Sequence, residues 1–401
     1  MAKNVKFQIY KNNLLFFLLG FFVFSSLSST IVQTYLHFPI SLPEMLFVPF
    51  VFLLWDKFKS IRFRGKDFFI TFVILIVLLL IGLLCGEFPL YSMLATSRSW
   101  FYLLMCLFAF SRSNKIDSDD LMWLAFGSVL AWLVDSSLNY RQLVTGLLLD
   151  EQVVTYGLLL AVPVLLATLI YRSRYLFVLI CVVIISITVI FAGIRRLLVV
   201  ALLSLFVSAL LKVIKRKKQL FSVAIMGLII ASLVSFSLPI IGDFVKENSP
   251  AMYYRVFERT GNFLESGDSG SSGDKSRMSH FDKFFDDFVD HTIPYGMVSS
   301  NTRDNGAGFL NDFPLYQLNW IFSWPIVFLI LFYISRVLFN NLRKYNRKND
   351  EVAFVSVNCI MVMFMLLFLE GTYIEYPYAT PITGVLLGRA MLNSRHSNII
   401  M

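Results

Sequence analysis

Charged residues, histidine and cysteine are scarce in this chain, and each scarcity narrows the possible classes of function. Only 15% of the 401 residues are charged, and only four are histidine. The four cysteines lie in or beside apolar segments and lack metal-binding spacing, so we interpret them as packing residues. The HExxH, CxxC, Walker A and GxSxG patterns are absent, which argues against metalloprotease, redox, nucleotide-driven and serine-hydrolase chemistry.

Apolar residues dominate instead. They make up 57% of the chain, and the mean hydropathy is +0.70. A soluble domain of this length cannot bury so much apolar surface, so we predict an all-α polytopic membrane protein. About twelve spans are expected, at 14–32, 39–55, 68–85, 99–111, 120–138, 153–171, 175–193, 197–213, 219–241, 318–338, 352–369 and 374–391. The chain then divides into nine spans in 1–241, a large loop at 242–317, and three spans in 318–401.

Basic residues fix the predicted orientation. If the N-terminus is inside, almost every basic cluster falls on one side, as the positive-inside rule requires. These clusters are Lys3, Lys6, Lys11; Lys57, Lys59, Arg62, Arg64, Lys66; Arg112, Lys115; Arg172, Arg174; Lys212, Lys215, Arg216, Lys217, Lys218; Arg336, Arg343, Lys344, Arg347, Lys348; and Arg389, Arg395. An even number of spans with both termini cytoplasmic is therefore predicted. The net charge of +9 comes from these loops and favours anionic membrane lipids as partners rather than nucleic acid.

Two basic features remain on the predicted outer side. One is the pair Arg195–Arg196, between two apolar runs; the other is the loop 242–317, which contains Arg277. Guanidinium groups match phosphate oxygens bidentately, so these three arginines are candidates for binding a phosphorylated lipid headgroup. Snorkelling of the pair to the headgroups is the alternative. The loop also contains three weaker candidates, which are more simply interpreted as solvated surface charges: Arg255, Arg259 and Arg303.

The large loop also contains a predicted helix and candidate acid–base groups. Residues 276–290 place Met278, Phe281, Phe285, Phe288 and Val289 on one helical face, which predicts an amphipathic helix lying on the membrane or capping a cavity. His280 and His291 are candidate bases or ordinary surface histidines. Asp135, Glu370 and Glu375 lie near the predicted outer face and are intramembrane or interfacial candidates.

The order of several short motifs resembles that of a known family. An acidic turn (DEQ, from Asp150) leads into LLLAVPVLLATLIY, then FAGIRRLLVVALLSLF and the basic KVIKRKK. The large loop adds SRMSHFDKFF around Arg277, an Ile-Pro-x-Gly turn at 293–296, and NDFPLYQLNWIFSWPIVFLILF. Over residues 150–340 this arrangement resembles the bacterial O-antigen polymerase and ligase family.

The resemblance implies a GT-C-like glycosyltransferase in the bacterial plasma (inner) membrane. Its substrate would be an oligosaccharide linked to undecaprenyl pyrophosphate, processed at the outer face of the membrane without nucleotide sugar, metal or other cofactor. The polymerases of the family transfer a growing glycan to a lipid-linked repeat unit, and a chain-length regulator is a further partner to expect. The family's pyrophosphate-binding arginines correspond to Arg195 or Arg196 and to Arg277, and preorganised cations of this kind stabilise a leaving group.

Two departures from the family pattern leave alternatives open. Gly-Ile-Arg-Arg stands where Ser-Arg-Gly is usual, so either arginine can take the role; we favour Arg195. The histidine of the ligases' His-Asn pair is missing, which favours a polymerase over a ligase and leaves Asp304, Asp312 and His291 as candidate bases. A flippase or transporter of the same lipid-linked unit is the third hypothesis. Scarce deep charges and the lack of an internal repeat count against it.

Overall fold

Helices are the only regular secondary structure in the part of the chain that the structure describes. The computed structural model describes residues 2–25, 27, 42–58, 64–85, 90–112, 116–144, 158–192, 196–215, 242–243, 246–247, 253–254, 258, 292–297, 314–368 and 380–398. Within these ranges there are thirteen helices and no strand, which confirms the all-α prediction. They are α1 (Ala2–Phe22), α2 (Leu42–Leu53), α3 (Trp55–Phe58), α4 (Gly65–Cys85), α5 (Leu90–Phe110), α6 (Ser118–Val144), α7 (Leu158–Tyr171), α8 (Tyr175–Ala192), α9 (Arg196–Lys215), α10 (Pro314–Phe322), α11 (Trp324–Lys348), α12 (Glu351–Leu366) and α13 (Thr380–Asn398).

Several of these helices have the length and composition of membrane spans. Among the described residues, Gly65–Cys85, Leu197–Lys215 and Trp324–Lys348 are each long and apolar enough to cross a bilayer. Shorter apolar helices accompany them, including Tyr175–Val189 and Glu351–Leu366. The apolar helices indicate a membrane protein, whereas the number of twelve spans stays a prediction.

The helix bounds are shifted from those of the predicted spans, and two of the differences change the architecture. Each predicted span overlaps a helix, except 219–241, which lies outside the described residues. The fourth span, predicted to be short at 99–111, is the 21-residue helix α5. The tenth span, 318–338, is broken at Ser323, whose φ of 70° lies in the left-handed region. Pro325 explains the break, because it has no N–H to donate to the preceding turn and its ring clashes with a continuing helix.

The helix α7 forms the centre of the bundle. Every residue from 159 to 170 is buried, and α6, α8, α9, α12 and α13 all pack against α7. Its described part, Leu158–Tyr171, is apolar throughout. Residues 159–170 are therefore covered by protein on all sides.

Ion pairs and hydrogen bonds collect at one end of the bundle, which we call the basic end. The contacts are Lys57–Asp120 (2.6 Å), Arg112–Asp67 (2.8 Å for one of two bonds), Arg172–Glu351 (2.8 Å), Arg172–Asp119, Lys344–Asp350 (3.3 Å) and Lys215 Nζ donating to the Tyr345 carbonyl (3.1 Å). These residues follow or precede predicted spans that should end on the same side. The contacts fit the predicted alternation of the spans, and which end faces the cytoplasm stays a prediction.

Carboxylates hold the cations of the basic end in their charged form. Burial lowers the pKa of Lys57, but the hydrogen bonds and charges of Asp120 and Asp117 outweigh burial and leave that pKa above its usual value. The hydrogen bonds from Arg112 to Asp67 likewise raise the pKa of Arg112. Both cations therefore remain charged over the physiological pH range.

Buried amides join the central helices by hydrogen bonds. The Asn358 side chain on α12 is fully buried; its Nδ2 donates to the Ser204 carbonyl and to Ser208 Oγ, both at 2.8 Å. Its Oδ1 accepts from Ser204 Oγ at 2.9 Å. Both the donor and the acceptor of this amide are thus satisfied across the α9–α12 contact, as expected for polar groups between membrane helices.

Candidate functional site

The helix α10 is short, buried along almost its whole length, and polar in its middle. Gln317 and Asn319 are both 0% exposed on a nine-residue helix. Within the described part of the chain, neither Nε2 nor Oε1 of Gln317 has a hydrogen-bond partner. An unsatisfied buried amide costs about 1–3 kcal/mol per lost partner, so folded proteins retain such groups mainly where a ligand or water completes them. Gln317 is therefore a candidate ligand-binding group.

Further uncharged polar groups lie in the same half of the bundle. Within the described residues, Ser99 Oγ, Trp100 Nε1 and Thr380 Oγ1 are buried without a hydrogen-bond partner. The Trp100 ring meets Phe322, the last residue of α10, edge to face at 5.3 Å between centroids. Gly384 of α13 packs against Leu103 of α5, and the two helices run parallel. Thr380 is one turn before Gly384, and Ser99 is one turn before Leu103, so these two residues lie at the same level of the bundle. These neutral donors and acceptors suit hydroxyl groups better than a charged ligand.

A non-helical segment, residues 292–297, connects this region to α4; we call it the anchoring segment. The Tyr295 N–H donates to the Trp320 carbonyl at 2.8 Å, and the Met297 N–H donates to the Leu78 carbonyl at 2.9 Å. The Tyr295 and Trp320 rings stack with centroids 4.9 Å apart. Leu78 is seven residues from the end of α4, so the segment enters the bundle by about 10 Å. Irregular backbone at such depth is tolerated where protein covers it.

Gly296 makes the close approach of the anchoring segment possible. Its φ of +80° is a conformation that glycine adopts at no steric cost. A Cβ at this position would lie 2.3 Å from the Leu78 carbonyl oxygen and 2.4 Å from the Gly82 nitrogen. The Ile-Pro-x-Gly turn singled out in the sequence is thus a tight contact between the large loop and α4.

The site lies at the end of the bundle opposite the basic end. The helix α11 follows α10 directly, and its far end joins the basic end through Tyr345. From Trp324 to Lys348 the helix is about 36 Å long. Arg196 begins α9, whose last residue, Lys215, bonds to the same Tyr345, about 28 Å away. The backbone of Arg196 therefore lies at the same end of the bundle as Gln317 and Trp320.

The other residues predicted for the site lie outside the described residues, so the structure brings none of them together. This holds for Arg195, Arg277, His291, Asp304 and Asp312, for the secondary candidates Arg255, Arg259 and Arg303, and for the predicted amphipathic helix at 276–290. Only the backbone of Arg196 is described. Asp135, the buried carboxyl singled out in the sequence, is 1% exposed on α6. No group of three or more potential metal ligands occurs among the described side chains.

Sequence reasoning missed Gln317 and the neutral groups around it. The signal was available: PLYQLNWIF carries two amides two residues apart within an apolar stretch, so they lie on different faces of a helix and at least one of them has to be buried. The unpaired hydroxyl and indole groups of α5 and α13 had no such signal, since single serine, threonine and tryptophan residues are ordinary in apolar helices.

Comparison of the chain with family models, with curated proteins and with solved structures gave no match.

Proposed function

We propose that this chain is a polysaccharide polymerase that acts on lipid-linked repeat units at the outer face of the bacterial plasma membrane. Its product would be an O-antigen, a capsule or an exopolysaccharide. The observation that carries the proposal is the position of Arg196 at the start of α9, at the end of the bundle that holds Gln317 and the anchoring segment. This end is distant from the basic end, where the predicted cytoplasmic cations are paired.

The start of α9 suits a pyrophosphate for two physical reasons. The first backbone N–H groups of a helix have no partner within the helix, and the helix dipole places partial positive charge there. Arginine is a charged, bidentate donor, and we propose that the guanidinium of Arg196 binds the same anion as the helix end. Arg195 and Arg277 are proposed to complete the binding of the pyrophosphate.

The proposed reaction transfers the growing glycan from its lipid carrier to an acceptor unit. A hydroxyl oxygen of the acceptor repeat unit forms a bond to the anomeric carbon of the growing chain, and the bond from that carbon to the pyrophosphate oxygen breaks. The hydroxyl proton passes to a base, for which Asp304, Asp312 and His291 are the proposed candidates. Undecaprenyl pyrophosphate leaves as an anion, and the arginines lower the energy of the charge that develops on it.

The proposal extends to the architecture and partners of the enzyme. Twelve spans with a GT-C-like arrangement and both termini cytoplasmic place the loop 242–317 on the outer side. There the loop can meet both lipid-linked substrates and a chain-length regulator. The anchoring segment supports this arrangement, because it holds the loop against α4 and α10 at one end of the bundle.

Deletion of the gene in its native host tests the proposal. Without a polymerase, single repeat units reach the cell surface but are not joined, and the wild-type gene restores long chains. The measurement is the length of surface glycan on gels, with its carrier lipid identified by mass spectrometry. Long chains that remain on undecaprenyl pyrophosphate would instead identify a ligase, and repeat units retained on the cytoplasmic face would identify a flippase.

Replacing Gln317 by methionine, which has a similar shape, separates substrate binding from structure. We expect the thermal unfolding midpoint to rise, because the change removes an unsatisfied buried amide worth about 1–3 kcal/mol. We expect polymer formation to fall about tenfold or more, because a substrate hydroxyl loses its partner. The measurements are unfolding of the purified protein and glycan length in cells of equal expression.

Asn358→Leu provides the matched control for Gln317→Met. It also replaces a buried amide by an apolar side chain of similar shape, but it leaves Ser204 and Ser208 without partners. Its unfolding midpoint is expected to fall. A Gln317→Met protein that is stabilised and fully active would rule out a role for this amide in substrate binding.

A further inference from the structure

One exposed face of α11 changes from apolar to basic along its length. Leu329 and Phe332 are 68% and 72% exposed, and Arg336, Arg343 and Arg347 follow on the same face at helical spacing. The buried residues of α11, Val327, Val337, Asn341 and Tyr345, lie on another side of the helix. We call the three exposed arginines the arginine stripe.

Nearby cations have protein partners, whereas the arginine stripe has none among the described residues. Lys344, on the same helix, pairs with Asp350 at 3.3 Å, and Lys215 donates to the Tyr345 carbonyl at 3.1 Å. Arg172 is shared between Glu351 and Asp119. Over the described portion of the chain, no hydrogen bond or ion pair involves Arg336, Arg343 or Arg347. The acidic residues nearest in sequence are thus engaged by other cations, and the described residues supply no counter-charge for the stripe.

The position of the stripe indicates what supplies that counter-charge. Leu329 and Phe332 expose large apolar side chains on a helix long and apolar enough to span a bilayer, so this part of the face contacts lipid tails. The three arginines extend over about 16 Å towards the basic end, where the headgroups that belong to those tails lie. Arginine binds phosphate bidentately, and a long guanidinium side chain reaches a headgroup from within the bilayer edge.

We propose that the arginine stripe is a binding site for the phosphate groups of anionic phospholipids. The apolar half of the face holds the acyl chains of the same lipid, so one lipid molecule contacts both halves. This site lies at the opposite end of α11 from Gln317 and does not depend on glycan polymerisation. It positions α11, and with it α10 and the anchoring segment, by a charge-specific lipid contact.

The test measures binding of phosphatidylglycerol and of phosphatidylcholine to the purified full-length protein by native mass spectrometry. The variant is Arg336→Gln with Arg343→Gln and Arg347→Gln. We expect its affinity for phosphatidylglycerol to fall about a hundredfold, since each arginine near a charged surface contributes about a factor of five. Its weaker affinity for phosphatidylcholine should remain unchanged.

A control variant with the same loss of charge removes other exposed cations, Arg64→Gln with Lys66→Gln and Arg174→Gln. This variant should keep its affinity for phosphatidylglycerol to within about tenfold. An equal loss of affinity in both variants overturns the proposal. No loss in the stripe variant also overturns it, and that result would point to an acidic protein partner.

If the stripe variant does not fold, the wild-type protein decides the question, because its preference for phosphatidylglycerol must decrease as salt is raised.

Discussion

Alanine at Arg196 is expected to lower the rate of polymer formation about a hundredfold to a thousandfold, the usual effect of removing one preorganised charge from a leaving group. The same loss is expected for Arg195→Ala or Arg277→Ala if those side chains contact the pyrophosphate. The Arg196→Lys variant should retain part of the activity, because lysine keeps the charge but not the bidentate geometry. Glycan length on the carrier lipid, in membranes that contain equal amounts of each protein, is the measurement.

The control for these variants is Arg174→Ala. Arg174 is an exposed arginine in the short connection between α7 and α8, close to the basic end, so its loss should leave polymer length unchanged. If Arg195, Arg196 and Arg277 can each be replaced by alanine in a properly inserted protein that still makes long chains, the proposed pyrophosphate site is wrong. A defect confined to one arginine of the pair would decide which of them contacts the substrate.

Alanine at both Gly384 and Gly388 is expected to destabilise the fold by about 4 kcal/mol, since overpacking at one site costs about 1–3 kcal/mol. A Cβ at Gly384 would lie 2.4 Å from the Leu103 carbonyl oxygen, and one at Gly388 would lie 2.6 Å from the Leu107 carbonyl oxygen. Backbone atoms on α5 cannot move aside as flexible side chains do, so α5 and α13 would have to separate. Thermal unfolding in detergent measures the change.

Gly65→Ala is the control for the glycine pair. Gly65 begins α4, and nothing lies within 4 Å of the position of its Cβ. This substitution is therefore expected to leave the unfolding midpoint unchanged or slightly raised, since alanine has the higher helix propensity. A double Gly384/Gly388 variant as stable as Gly65→Ala would contradict the close contact between α5 and α13.

The sequence was sufficient to predict the described helices but not their contacts. Hydropathy located α4, α9 and α11, because an apolar run of span length has few alternative structures. The break at Ser323 was not predicted, although Pro325 was visible, since a proline kinks some helices and ends others. Gly384 and Gly388 form a GxxxG spacing that signals close helix packing, but the spacing alone does not name α5 as the partner.

The candidate site was predictable only in its charged part. Arginine on the disfavoured side of a membrane is conspicuous in a sequence, so Arg195 and Arg196 are predicted from their charge alone, and their role stays a prediction. Gln317 has no charge, and whether its amide is satisfied depends on every helix around α10. The absence of a partner for a buried neutral group is a property of the tertiary structure, and no local pattern encodes it.

The two hydrogen bonds of the anchoring segment divide the large loop into two separately tethered connections. Residues before Tyr295, including Arg277 and His291, belong to a long connection, whereas Arg303, Asp304 and Asp312 belong to a short one, 298–313, fixed at Met297 and at the start of α10. Fully extended, the short connection spans at most about 55 Å, and both of its ends are fixed. The arginine proposed to hold the leaving group and the carboxylates proposed as bases therefore lie on opposite sides of the anchoring segment along the chain, and a change in the length of one connection leaves the other unaltered.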